Sequence, residues 1–272
     1  MKANVGRCGL CFEERELQDS HLMPAALYKL IRKRSHAPNP NPVVVTGKRS
    51  FTTSDQVSAH FLCHDCEERF HSKGEDYVLS QCAKPSGTFK LRELLEASDP
   101  VASTSQASAY KVSDLLGNKA DKYLYFAASV FWRASARSWT FDSQELPVSL
   151  GYPYQEQLRL YLLGEGGFPP KARLWVHVSR ETEFASCTVF PYSERGEGKW
   201  RHKFYIPGVL FILFLGGSVP EDLDQWALNA ADGGVMCLTR VEDDSLYEGS
   251  VSLVRESRPS RNLVSRRSME AG

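Results

Sequence analysis

Two C-x-x-C pairs, Cys8-Gly-Leu-Cys11 and Cys63-His-Asp-Cys66, lie far apart in the first third of the chain. A two-residue gap lets both thiolates of a pair turn onto one metal, and zinc takes four such ligands in a tetrahedron at about 2.3 Å. One pair alone could be a redox couple, and isolated cysteines such as Cys82, Cys187 and Cys237 read as buried apolar residues. Two pairs together point to a single structural Zn2+ held by Cys8, Cys11, Cys63 and Cys66, closing the segment from the start of the chain to about residue 80 into one unit. His64, inside the second pair, is the competing ligand, while His60 reads as an ordinary strand residue. A metal that joins such distant segments contributes folding energy outright, so its removal is expected to unfold residues 1 to 95 first.

The chain has seven cysteines, an odd number, and Met1 to Arg7 contains no apolar stretch resembling a secretory leader. The longest apolar run, Val209 to Leu215, is far shorter than the roughly 20 residues a membrane helix needs. These features set the expectation of a cytoplasmic protein without a membrane segment, in which thiols bind metal in preference to forming disulfides. Lys plus Arg and Asp plus Glu both number 33, so net charge gives no overall nucleic-acid signal. The basic cluster Arg32-Lys33-Arg34 with His36, and the arginines of 255 to 272, read as solvated faces or a frayed tail.

Punctuation along the chain predicts an α+β fold in two units. Residues 1–96 form the zinc-binding domain: Leu27, Leu30 and Ile31 share one helical face after Pro24, Ala37 to Pro42 is a proline-spaced loop, Val43 to Val45 is a strand, and Asp65 to Lys73 is a helix. The small polar stretch 97–109 reads as a linker. Residues 110–256 form an α+β domain, with helices over Lys119 to Trp139 and Tyr154 to Leu163. Strands follow near 173–178, 185–190, 203–206, 209–215 and 235–239, which favours a mainly antiparallel sheet. Residues 257–272 complete the chain as a basic flexible tail.

The order Cys8-Gly-Leu-Cys11, Ser20-His21-Leu-Met-Pro24, Leu62-Cys-His-Asp-Cys-Glu67 resembles the cysteine-bearing branch of the HNH, or ββα-metal, endonucleases, over the first third of the chain only. The resemblance implies a treble-clef zinc fold in which His21 is the general base and Glu67, directly after the last cysteine, helps hold a catalytic Mg2+ or Mn2+. His71 is a candidate second ligand on the same helix, and Asn39 or Asn41 would occupy the middle asparagine position. Where many relatives carry Asp or His directly before the base, this chain has Ser20. Glu67, Glu68 and Glu75 otherwise read as the solvated face of a helix.

In the second unit Phe131, Trp132, Trp139, Trp175, Trp200 and Trp226 read as core in preference to a base-stacking platform, and the glycines at 164–167 and 216–217 lack the companions of a phosphate-binding loop. The expected activity is metal-dependent hydrolysis of nucleic acid, DNA first, with the second unit recognising substrate or a protein partner. The alternative is a non-catalytic zinc module that binds nucleic acid or a protein.

Overall fold

The computed structural model describes residues 4–32, 43–46, 49–53, 55–84, 86–181, 187–196, 199–216, 224–240 and 258–259. The expected loop 37–42 with Asn39 and Asn41, the basic residues 33–36 and most of the C-terminal tail lie outside them. The first ninety-odd residues give β1 (Val5–Arg7), β2 (Glu14–His21), α1 (Ala25–Arg32), β3 (Val43–Thr46), β4 (Arg49–Thr52) and β5 (Ser58–Cys63). There follow α2 (His64–Phe70), a π-helical turn (His71–Glu75), α3 (Asp76–Gln81) and α4 (Lys90–Glu96). Next come β6 (Ala102–Ser103), β7 (Ala107–Lys111), α5 (Val112–Leu116), α6 (Ala120–Ala136), β8 (Thr140–Phe141), β9 (Gln144–Glu145) and α7 (Tyr152–Leu163). The remaining strands are β10 (Arg173–Ser179), β11 (Cys187–Gly196), β12 (Lys199–Ile206), β13 (Val209–Leu215), β14 (Val235–Thr239) and β15 (Arg258–Pro259).

The class is α+β. One small antiparallel sheet, ordered β1-β2-β5, carries the cysteine pairs. A ten-stranded mixed sheet, ordered β15-β4-β3-β11-β12-β13-β10-β14-β7-β6, is antiparallel except where β3 meets β11, β10 meets β14 and β4 meets β15. Its membership departs from the sequence expectation in three places. The β3–β4 hairpin comes from the first sixty residues, yet it extends the large sheet. The stretch expected as a linker supplies β6 and the start of β7, an antiparallel pair at the sheet edge. Its Ser and Ala side chains are too small to show an apolar alternation, so backbone pairing is the only mark of strand there. Finally, Arg258 and Pro259 of the expected tail pair with Phe51 and Thr52.

Helix α6 explains how these parts share one interior. Its 17 residues are apolar nearly all round, the pattern of a helix buried on every side. One flank meets the large sheet, where Phe126 and Phe131 contact Phe204 and Phe211 at ring separations of 4.9 to 6.0 Å. The other meets the cysteine-bearing fold, where Trp132 stacks on Phe61 at 5.7 Å and meets Phe70 edge-on at 6.1 Å. A single apolar cluster therefore runs from Cys8 and Cys66 through α6 to Leu213 and Met236. Trp132 and Trp139 are core as expected, whereas Trp200 is 46% exposed.

His202 lies on the α6-facing side of β12 and is 1% exposed. Nδ1 is 2.8 Å from the Ser193 hydroxyl, while Nε2 is buried with no partner among the described residues. Burial of an imidazole that cannot share its charge lowers its pKa from 6.5 to about 4. Between those values the unfolded chain binds a proton that the native chain refuses, so stability falls as pH drops through this window. The loss amounts to about 3 kcal/mol by pH 4. Urea unfolding at pH 7 and pH 4.5 is expected to show this loss, and His202→Asn to remove most of that share of the pH dependence.

Candidate metal centre and the helix beside it

The four cysteines of the two pairs converge. Their sulfur atoms all lie within 4.8 Å of one another, and Cys11 Sγ is 3.9 Å from Cys63 Sγ across a sequence gap of 52. A tetrahedron with metal–sulfur bonds of about 2.3 Å has edges of about 3.8 Å. All seven cysteines are free thiols, and the donor set, soft and fourfold, fits Zn2+. The Cys66 thiol hydrogen-bonds to Cys8, and together with backbone donors from Cys11, Cys63 and Leu10 it pulls Cys8 down to about 4. The same shared proton pushes Cys66 up, and burial pushes Cys11 up. Binding of a dication would discharge the remaining thiol protons of the cluster. His64 is exposed at the start of α2 and takes no part in the cluster.

A β-bulge shapes the cradle. Gln18 pairs with Leu62 but Asp19 with His60, leaving Phe61 as the extra residue of β5. Released from the ladder, the Phe61 carbonyl accepts a hydrogen bond from Gly9 N–H at 2.9 Å, joining the second cysteine strand to the first knuckle. Its ring fills the space above Gly9, where a Cβ would stand 2.0 Å from a ring carbon, so any side chain between Cys8 and Leu10 would displace the Phe61 ring. Leu62 N–H, also displaced, donates instead to the buried Ser20 hydroxyl at 2.9 Å, and that hydroxyl in turn donates to the Gln18 carbonyl. Ser20 thus spends its side chain on closing the bulge. Cys63 ends β5 and Cys66 falls in the first turn of α2, which brings both thiols to the same side.

His21 is the last residue of β2, half-buried and paired with Ser58. The two residues after it, Leu22 and Met23, are buried, and Pro24 precedes α1, so H-x-x-P is also the point where the chain anchors in the core. Glu67 is in the first turn of α2, half-buried, with Oε1 enclosed and without a partner among the described residues. His71 follows one turn later, exposed, its N–H bonded to the Glu67 carbonyl. Spacing of four places both side chains on one helical face. Among the described residues the tetracysteine group is the one set of three or more metal-binding side chains within ligating distance, so His21, Glu67 and His71 do not form a second such group.

Sequence reasoning missed the residues that hold this fold in place. Glu75, expected on a solvated helix face, is buried and ion-paired with Arg133 of α6, which is itself 1% exposed. The cause is the π-helical turn, which inserts an extra residue and rotates Glu75 inward. Gly74 within it lies so close to α6 that a Cβ would meet the Phe126 and Lys122 backbone at 3.0 to 3.1 Å. Arg133 also donates to the His21 carbonyl at 3.0 Å and lies over the Phe70 ring. Two further arginines act alike: Arg137 donates to the His60 carbonyl at 3.3 Å and Arg159 of α7 to the Leu10 carbonyl at 2.9 Å. The one available signal was an arginine deep in a helix whose other charges, Asp121 and Lys122, sit in its first turn; such a charge must find a partner when buried.

No protein-family model, curated protein or solved structure matches the chain. Among the described residues no helix is long and apolar enough to cross a membrane.

Proposed function

We propose that the chain is an HNH-like, metal-dependent endonuclease built on a zinc-stapled ββα unit of β2, β5 and α2, with nucleic acid, DNA first, as substrate. The observation that carries this reading is that Oε1 of Glu67, the residue directly after the last cysteine of the two pairs, is enclosed and has no partner among the described residues. A buried carboxylate oxygen without a donor is costly unless a cation or proton meets it. Mg2+ takes one or two carboxylates and completes its shell with water and phosphate oxygens, so a dense cluster of protein ligands is not required. A cation held by Glu67, with His71 one turn along, would neutralise phosphate charge and stabilise the leaving oxygen.

His21 accepts the proton of the attacking water, since an imidazole exchanges protons at physiological pH. The Arg133 bond to its backbone carbonyl fixes the strand end from which that ring projects. The tetracysteine Zn2+ is structural. The engagement of Ser20 in the bulge favours the second reading, a zinc module that binds nucleic acid without cutting it, because the position before His21 then offers no ligand.

Incubation with plasmid DNA and with RNA in Mg2+ or Mn2+ separates the two. Cleavage by the wild-type protein is expected to fall by about 10²-fold or more in His21→Ala and in Glu67→Gln, with zinc content unchanged. Wild type and both variants equally inert on every substrate, with nucleic acid still bound, would establish the binding module instead.

A further inference from the structure

The face of the large sheet turned away from α6 carries a second candidate site. Along β10 the side chains alternate: Val176, paired with Phe211, points toward α6, so Trp175 and His177, paired with Ile212 and Leu210, point away. On β12 the same alternation puts Arg201 and Lys203 on the outer face beside Phe214 and Ile212. These residues, with Arg240 at the end of β14, line an open cavity of about 460 Å3.

Two features of this cavity are unusual for a sheet surface. The first is a wall of flat rings: Trp175 lies 4.8 Å from Phe214 and stacks on His177 at 6.0 Å and 23°. The indole Nε1–H of Trp175 is enclosed and donates to nothing among the described residues, although a buried indole ordinarily finds an acceptor. The second is cationic: Arg201, Lys203 and Arg240 all line the cavity, and none of its described lining residues is acidic. Lys203 is only 4% exposed, and a buried ammonium is kept where it has an anionic partner, here Glu194. On the same outer face Glu194, the register partner of Arg201, sits 3.2 Å from both Arg201 and Lys203; it holds the two cations side by side and offsets one of their charges, leaving Arg201, Lys203 and Arg240 with a surplus of two positive charges.

We propose that this cavity binds a nucleoside phosphate, the base lying against the Trp175, His177 and Phe214 rings and the phosphate facing Arg201, Lys203 and Arg240. A planar ring matches the aromatic wall, its polar edge offers the acceptor that Trp175 Nε1 lacks, and guanidinium groups match phosphate oxygens in geometry as well as charge. The assignment stands apart from the nuclease reading, since it uses no residue of the cysteine-bearing fold. The ligand is either a free nucleotide or the end of a strand, which share this chemistry.

Calorimetric titration of the full chain with AMP, UMP, adenosine, inorganic phosphate and a 5′-phosphorylated thymidine hexamer tests it. Saturable binding of AMP or UMP is expected, with adenosine and phosphate each at least about tenfold weaker. Arg240→Ala, at an exposed position, should weaken nucleotide binding about tenfold without altering thermal unfolding, and Trp175→Phe should weaken it while keeping the ring. A hexamer that binds more tightly than the mononucleotides identifies a strand end, and the reverse order a free nucleotide. Absence of saturation by every probe at millimolar concentration, phosphate binding as tightly as AMP, or nucleotide binding unchanged in Arg240→Ala would each overturn the proposal.

Discussion

Replacing Arg133 by methionine is expected to destabilise the native chain by about 3–5 kcal/mol, the range seen when one partner of a buried ion pair is removed. Three losses coincide: Glu75 is left enclosed without a counter-charge, the His21 carbonyl loses its donor, and the cation over Phe70 disappears. Chemical denaturation of wild type and variant measures the sum. The double variant Arg133→Met with Glu75→Leu separates the terms. An apolar pair of similar volume often matches a buried salt bridge, so most of the lost stability should return. Any cleavage activity should not return, because the strand end carrying His21 remains unbraced. Recovery of both together would show that Arg133 serves the pair alone, and recovery of neither that the site cannot repack.

Chelation of the tetracysteine metal, or Cys66→Ser, is expected to have the larger effect. Apparent binding free energies of structural zinc run to about 10–16 kcal/mol, comparable with the whole stability of a domain at about 5–15 kcal/mol. The metal-free chain should therefore lose its cooperative unfolding transition. The sequence suggests that residues 1 to 95 would go first. The structure leads to a wider collapse: Cys8 and Cys66 belong to the same apolar cluster as Phe204, Phe211 and Met236, and β3 with β4 is built into the large sheet. Hydrogen exchange after chelation should show protection falling in β12 and β13 along with β2 and β5. Protection lost in β1, β2, β5 and α2 alone would restore the picture of an independent zinc unit. Elemental analysis of the untreated protein should find one zinc per chain.

What could be read in advance follows from how local each signal is. The cysteine pairs were legible because ligand type and spacing carry the chemistry by themselves, and their sulfurs do meet. Strands such as Val209 to Leu215 and the long helix around Phe131 were legible from apolar runs, to within a few residues at the ends. The inward turn of Glu75 was not, because one extra residue in a helical turn leaves no trace in composition. Nor was the role of Ser20, which depends on a bulge formed against a strand forty positions later. The β6–β7 pair escaped because serine and alanine carry no periodicity, and the continuity of the interior escaped because it is a property of packing, beyond the reach of punctuation. The cavity beside Trp175 draws side chains from several strands, a convergence that sequence order conceals.

Arg133, Arg137 and Arg159 grip carbonyl oxygens at positions 21, 60 and 10, atoms that every amino acid possesses. These three bonds are consequently indifferent to which side chains the three positions carry, although Leu10 also packs in the core through its own side chain. Selection can rewrite the side chain at 21 without loosening its mount, and His21→Ala therefore tests the proposed chemistry with the Arg133 bond still in place.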